Sequence, residues 1–332
     1  MSKILVTGGA GFMGSWLVDE LINMGHIVVN VDDLSGGYIS NVNKKCTFIK
    51  GDLRDEKVVN KAVKGVDIIF HLAAYAAEGQ SVFSPKEIND INLTPMNNLL
   101  VAAVNNDVKK FIFTSSMAVY GKQKPPFDEN MRPEPEDPYG AAKVYCEQML
   151  KIFKEAHGLK YTIIRPHNVY GPRQNIADPF RNVLGIWINR IMRGFPPVIY
   201  GDGEQTRAFS YVEDSMKAIA NAGFFSKTDG ETINVGSPEE VSINKACEAV
   251  LKAMNSKLKP IHVKERPQEV KHAYCTTEKS KKLLRYEDIH TLETGLPKMI
   301  AWAYKNGPQK PTYRIPLEIT KNAPEVWIKK TM

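Results

Sequence analysis

Ile4-Leu5-Val6-Thr7-Gly8-Gly9-Ala10-Gly11-Phe12-Met13-Gly14 is the stretch that decides the fold. An apolar, β-favouring run leads without a break into a turn with glycines at 8, 11 and 14, and a helical stretch follows from Gly14 to Met24. A backbone without side chains turns tightly there and lets an anion approach the unpaired N–H groups of the helix start, where the macrodipole favours negative charge. A glycine turn alone is weak evidence. This one has the required strand-turn-helix context, and the acidic pair Asp32-Asp33 ends the second strand. A carboxylate in that place accepts hydrogen bonds from ribose hydroxyls and repels a 2′-phosphate, which favours NAD over NADP.

Working outward, short β-branched runs alternate with helical stretches as far as Arg165: Ile27 to Val31, Thr47 to Lys50, Glu56 to Val63, Asp67 to Leu72, Pro85 to Asn105, Phe111 to Ser115, Tyr139 to His157 and Tyr161 to Arg165. Continuous apolar strands separated by helices predict a parallel sheet covered on both faces, a doubly wound α/β fold. After Pro166 the rhythm breaks at Gly171-Pro172, Asp178-Pro179, Pro196-Pro197 and Gly201-Asp202-Gly203, and shorter helices follow over 212–224, 243–254 and 292–305. The expected organisation is a dinucleotide-binding domain over 1–165 and a smaller, mixed substrate lobe over 166–307 that borrows a strand or two from the main sheet. A tail over 308–332 has little periodicity and either wraps the surface or moves.

The chain has 332 residues, 43% of them hydrophobic and 24% charged, enough for a sizeable core. Its longest apolar run, Val66 to Ala77, is interrupted by Asp67 and His71 and is too short to cross a bilayer. Met1-Ser2-Lys3 runs straight into the first strand and leaves no room for a signal peptide. Four scattered cysteines, Cys46, Cys146, Cys247 and Cys275, suggest neither a zinc site nor a disulfide framework and fit a reducing cytoplasm. The net charge of +7 is dispersed among acidic residues, so no nucleic acid or membrane partner is expected, while a nucleotide ligand is easily accommodated.

Asp137-Pro138-Tyr139-Gly140-Ala141-Ala142-Lys143 places a phenol and an ammonium one turn apart on a helix face. Free tyrosine titrates near pH ~10, and a fixed cation beside it favours phenolate, so Tyr139 is the expected acid/base and Lys143 its tuner. Gly51-Asp52-Leu53 and His71-Leu72-Ala73-Ala74 stand at strand C-termini, where open α/β sheets hold ligands. By residue type alone, Asp52 suits a helix N-cap and an adenine contact equally.

These motifs, together with Thr114-Ser115-Ser116, Val119-Tyr120-Gly121 and the run Arg165 to Pro172, occur in an order that resembles the extended short-chain dehydrogenase/reductases. The likeness is to the NAD-dependent nucleotide-sugar epimerase/dehydratase family, particularly the UDP-hexose 4-epimerases, and it spans roughly 1–305. The resemblance implies a Rossmann domain in which Gly8, Gly11, Phe12 and Met13 contact the pyrophosphate and Asp32 and Asp33 the adenosine ribose. It puts Asp52 and Leu53 at adenine, and Leu72, Ala73 and Ala74 at the nicotinamide side with Asn92 behind them. Lys143 also holds the nicotinamide ribose. Ser116 becomes a hydroxyl bridge between Tyr139 and the sugar O4. On the substrate side it implies Asn168 at the nucleotide sugar, Arg207 and Arg266 at the diphosphate, and Ala273 as a small gatekeeper that admits an acetamido group. Arg173 and Arg181 border the same loop, each either solvated or an anchor for a sugar carboxylate. A homodimer formed through the helices beginning near Pro85 and Tyr139 is also implied.

Relatives that dehydrate their sugar carry Asp-Glu after the hydroxyl residue, and decarboxylating relatives carry a glutamate. Here Met117-Ala118 stands there, and neither side chain exchanges a proton. The expected reaction is therefore inversion at C4 of a UDP-hexose through a 4-keto sugar, with neutral, N-acetylated and uronic sugars all open as substrates. A 4-ketosugar reductase is the alternative enzyme, and a non-catalytic NAD-binding relative is disfavoured by the intact Ser116, Tyr139 and Lys143.

Overall fold

A computed structural model describes residues 1–265 and 270–331. The amino-terminal part alternates β1 (Lys3–Thr7), α1 (Phe12–Asn23), β2 (Ile27–Asp32), β3 (Thr47–Lys50), α2 (Glu56–Val63) and β4 (Ile68–His71). It continues through the short α3 (Glu78–Ser81), α4 (Pro85–Asn105), β5 (Lys110–Thr114), α5 (Pro138–His157) and β6 (Lys160–Pro166). Then come β7 (Val169–Tyr170), α6 (Val183–Met192), β8 (Val198–Tyr200), β9 (Thr206–Arg207), β10 (Ser210–Tyr211), α7 (Val212–Asn221) and β11 (Glu231–Val235). The remainder comprises β12 (Val241–Ser242), α8 (Ile243–Ala253), β13 (Ile261–Val263), β14 (His272–Ala273), α9 (Glu278–Leu284), α10 (Leu292–Asn306) and α11 (Glu325–Ile328).

Seven strands form one parallel sheet in the order β11-β6-β5-β4-β1-β2-β3. Its side chains alternate between two cores, as period-two geometry requires. Leu5, Val29, Ile69, Phe111 and Ile163 enter one core with residues of α2, α4 and α5. Ile4, Val6, Val28, Phe70, Ile112 and Ile164 enter the other with residues of α1 and α7. Both faces are covered, which is why the strands read as unbroken apolar runs. β1 pairs with β2 on one side and β4 on the other, so the chain reverses its winding there and opens a crevice at the strand C-termini.

The rhythm changes after Pro166, and the main sheet takes a further strand from beyond that point. β11, drawn from beyond the second lobe's first helices, pairs with β6 from Glu231↔Thr162 to Val235↔Pro166. The second lobe has its own core of Tyr170, Trp187, Ile188, Tyr211, Val250 and Met299. Its helix α6 was hidden in sequence among flanking prolines and glycines; Asn182 starts it by accepting a hydrogen bond from Leu184 N. The tail lies along the surface rather than free: Thr312 N donates to Ala177 O, and Glu318 N and Ile319 N donate to Phe83 O. Among the described residues no helix is long and apolar enough to cross a membrane.

Candidate active site

The glycine turn is built so tightly that side chains do not fit. Gly8 has φ +73°, and a Cβ on it would lie 2.8 Å from Ala73 N; a Cβ on Gly14 would lie 2.1 Å from Gly8 O. Gly11 is the N-cap of α1 and supplies no side-chain partner to the first N–H groups of that helix, at Phe12 and Met13. Thr7 Oγ1 accepts hydrogen bonds from Leu72 N (3.2 Å) and Ala73 N (3.1 Å) and meets His71 Nδ1 at 2.8 Å, which ties the turn to the end of β4. Burial pushes the His71 imidazole down to about 3, so it is neutral in this contact.

The two acidic residues at the end of β2, Asp32 and Asp33, divide their work. Asp32 is 8% exposed, and its carboxylate accepts from Ala10 N (3.0 Å) and Leu34 N (2.8 Å), holding the glycine turn against the strand. Burial raises its pKa. Asp33 is exposed and, among the described residues, accepts only from Ser35 N (2.7 Å), which leaves carboxylate capacity toward the cleft. Asp52 is not an N-cap: Asp55 caps α2 by accepting from Lys57 N, whereas Asp52 lines the cleft beside Leu53 and is held below the usual carboxylate range by Arg54. Asn92 does not line the cavity. Its Oδ1 accepts from Tyr75 N (3.0 Å) and its Nδ2 donates to Ile88 O (2.9 Å), so it acts from behind by fixing the loop that carries Leu72, Ala73 and Ala74.

Asp137 starts α5 by accepting from Gly140 N (2.8 Å), with Pro138 in the first turn. This sets Tyr139 and Lys143 on the buried face, each 4% exposed, inside a cleft of about 460 Å³ that also contains the glycine turn, Ser116 and Asn168. Ser116 Oγ accepts from Ala118 N (3.1 Å), and its hydroxyl favours the ionised form of the neighbouring Tyr139. Lys143 Nζ donates to Thr114 O (2.8 Å) and lies 5.6 Å from the Tyr139 ring centroid. The expected lowering of the Tyr139 pKa is absent in this state: burial, followed by Glu78, pushes it well above the ordinary phenol value, against opposing effects of Ser116 and Arg181. Burial also pushes the Lys143 ammonium down to about 8.

The same cleft fits a dinucleotide. Its turn leaves no room for side chains where a pyrophosphate would approach, and Thr114 Oγ1 is buried there without a hydrogen-bond partner among the described residues. On the substrate side, Asn168 lines the cleft at φ +33°, with Nδ2 3.5 Å from Met117 Sδ. Arg207 and Arg181 also line it; Arg181 donates to Asp178 Oδ2 (3.1 Å) and Ala76 O (3.3 Å). Arg266 lies outside the described residues. Two expectations are corrected. Ala273 does not border the cavity; it is 0% exposed in a cluster with Val119, Tyr120, Phe127 and Cys275, because β14 runs beside β9 beneath that surface. Arg173 pairs with Asp19 of α1 (2.7 Å) over the Trp16 ring and is not on the cleft. Conversely, Arg314 and Trp327 of the tail do line it, and no periodicity or motif in the tail marked them.

The family model described as NAD dependent epimerase/dehydratase matches residues 4–236. A UDP-glucose 4-epimerase of Mycolicibacterium smegmatis is 32% identical over 308 residues, covering 90% of this chain and 97% of its own length. The solved UDP-N-acetylglucosamine 4-epimerase of Methanobrevibacter ruminantium, in complex with UDP-N-acetylmuramic acid, is 36% identical with a TM-score of 0.86 and covers 92% of this chain and 99% of its own. The UDP-glucose 4-epimerase of Thermus thermophilus in complex with NAD is 31% identical with a TM-score of 0.85, covering 90% and 98%.

Proposed function

The chain belongs to the NAD-dependent epimerase/dehydratase family, and from that premise we propose that it inverts C4 of a UDP-hexose. The observation that carries this reading is the convergence of Tyr139, Ser116 and Lys143 with the glycine turn in one cleft. The glycine turn, Asp33, Asp52 and Lys143 are the residues that would hold NAD. Held there, NAD would supply the hydride-accepting and hydride-returning chemistry that inversion at C4 requires.

Tyr139 receives the proton of the 4-hydroxyl and gives it back, with Ser116 relaying or orienting the hydrogen bond between them. Lys143, anchored on the Thr114 carbonyl, keeps a positive group one helical turn from the phenol and supports its ionised form. Asn168 and Arg207 orient the nucleotide sugar, the guanidinium by gripping phosphate oxygens. Met117 and Ala118 offer no group that removes water or a carboxyl, which supports simple inversion.

Neutral and N-acetylated UDP-hexoses are the principal substrates of this reading. A uronic sugar is the second, favoured by Arg181, whose charge reaches Tyr139 from the cleft wall. The chain works as a homodimer through α4 and α5. Incubation with UDP-glucose, UDP-N-acetylglucosamine and UDP-glucuronate separately, with product sugars identified, tests the proposal. Tyr139→Phe is expected to abolish inversion while UDP binding persists. Absence of any C4 epimer would overturn it, and stoichiometric consumption of reduced cofactor with a UDP-4-ketosugar supplied as acceptor would assign the chain as a 4-ketosugar reductase.

A further inference from the structure

The chain beyond Gly307 crosses the mouth of the cleft and is pinned on both sides of residue 314. Before it Thr312 N donates to Ala177 O (2.8 Å); after it Gln80 Nε2 donates to Ile315 O (2.8 Å), Ser84 Oγ donates to Pro316 O (3.0 Å), and Trp327 is buried edge-on against Phe83 and Phe180. Between these anchors Arg314 points into the cleft. Its guanidinium lies 5.2 Å from the Tyr75 ring centroid, and that of Arg181 lies 5.3 Å from the same ring. Arg181 is held by Asp178, whereas Arg314 makes no hydrogen bond or ion pair among the described residues. Two half-buried cations therefore meet on one ring, an arrangement that becomes favourable when an anion joins them.

The position selects which anion. A Cβ on Gly36 would lie 2.6 Å from Arg314 Nη1, and one on the adjacent Gly37 would lie 2.8 Å from Gly11 N, so Arg314 is stacked over the segment that covers the glycine turn. Arg314 also borders, with Asp33, Ser35, Asp52, Arg54 and Glu87, the neighbouring hollow beyond the ends of β2 and β3. We propose that Arg314 closes over the cofactor's pyrophosphate, so that the carboxy-terminal tail is a clasp retaining the dinucleotide. The proposal rests on the reading of this cleft as the NAD site. A guanidinium suits the task because its planar fork meets two phosphate oxygens at once.

Full-length Arg314→Gln, Arg314→Lys and Trp327→Ala proteins, compared with wild type, test the clasp by three readouts: NAD released on denaturation, the rate of NAD loss after dilution, and calorimetric binding of UDP. Arg314→Gln and Trp327→Ala should lose NAD at least tenfold faster, Arg314→Lys should fall between them and wild type, and UDP affinity of Arg314→Gln should stay within twofold. Unchanged NAD retention in Arg314→Gln overturns the clasp. So does a loss of UDP affinity as large as that of NAD, which would assign Arg314 to the diphosphate of the nucleotide sugar. A wild-type protein with no affinity for NAD contradicts the reading of the cleft itself, and the clasp falls with it.

Discussion

Tyr139 is aimed by the same burial that holds its proton on. With the phenol pushed above its ordinary range, Ser116 and Arg181 oppose that rise, and the Lys143 ammonium one turn away is itself pushed down to about 8. The lysine has a consequence that is measurable without substrate. The folded chain releases the Lys143 proton near pH 8, while the unfolded chain keeps it to about 10.5, so the unfolded state binds more protons across that window. Stability of the NAD-free protein should therefore rise with pH relative to Lys143→Met, by up to about 3 kcal/mol over the whole window. Parallel denaturation curves for the two proteins at pH 7.5 and 9.5 would refute it. At position 273, tyrosine has no cavity to enter, and Ala273→Tyr should cost about 3 kcal/mol of stability by overpacking. UDP-glucose and UDP-N-acetylglucosamine turnover should then change together; selective loss of the acetamido sugar would restore the gatekeeper reading. Residues whose role comes from local backbone need, such as Gly8 and Gly14, were legible in the sequence. Ala273 and Arg173 were not, because their surroundings are assembled from distant strands and from α1.

α5 carries the acid/base pair, and its seat is fixed by a buried network. Arg165 of β6 donates to Glu147 Oε2 (2.6 Å) and Oε1 (2.9 Å), and Ser115 Oγ donates to the same carboxylate (2.6 Å). Both charged side chains are about 97% buried or more, at 3% and 2% exposure. Glu147→Ala leaves the guanidinium uncompensated and should destabilise the protein by about 3 to 5 kcal/mol, seen as a lowered urea midpoint. A loss below 1 kcal/mol would mean that α5 is held mainly by its apolar face. The principal helices α1, α4, α5 and α10 were legible as helical stretches between strands and Pro/Gly breaks. The tail docks instead through single side chains, Ile315 and Trp327, and through backbone hydrogen bonds, which leave no periodic trace.

At the scale of the whole molecule, Val101 of α4 and Tyr145 and Ile152 of α5 are 55%, 40% and 47% exposed, large apolar groups on the outer faces of neighbouring helices. A second copy covering them would account for these residues. Sedimentation should give a dimer for wild type and a monomer for the Val101→Glu, Ile152→Glu double variant; a monomeric wild type would sink the arrangement. The doubly wound class of the sheet followed from strand and helix alternation alone, but its strand order and the identity of its edge strand did not, because β11 is paired across more than sixty intervening residues. That long-range strand sets a limit on ancestry and engineering alike. Grafting a foreign substrate lobe after Pro166 would leave the β6 edge bare and strip one wall from the apolar layer beneath Ile164 and Ile233. New sugar preferences in this scaffold must therefore arise by rewriting loops in place, since the lobe is no detachable cassette.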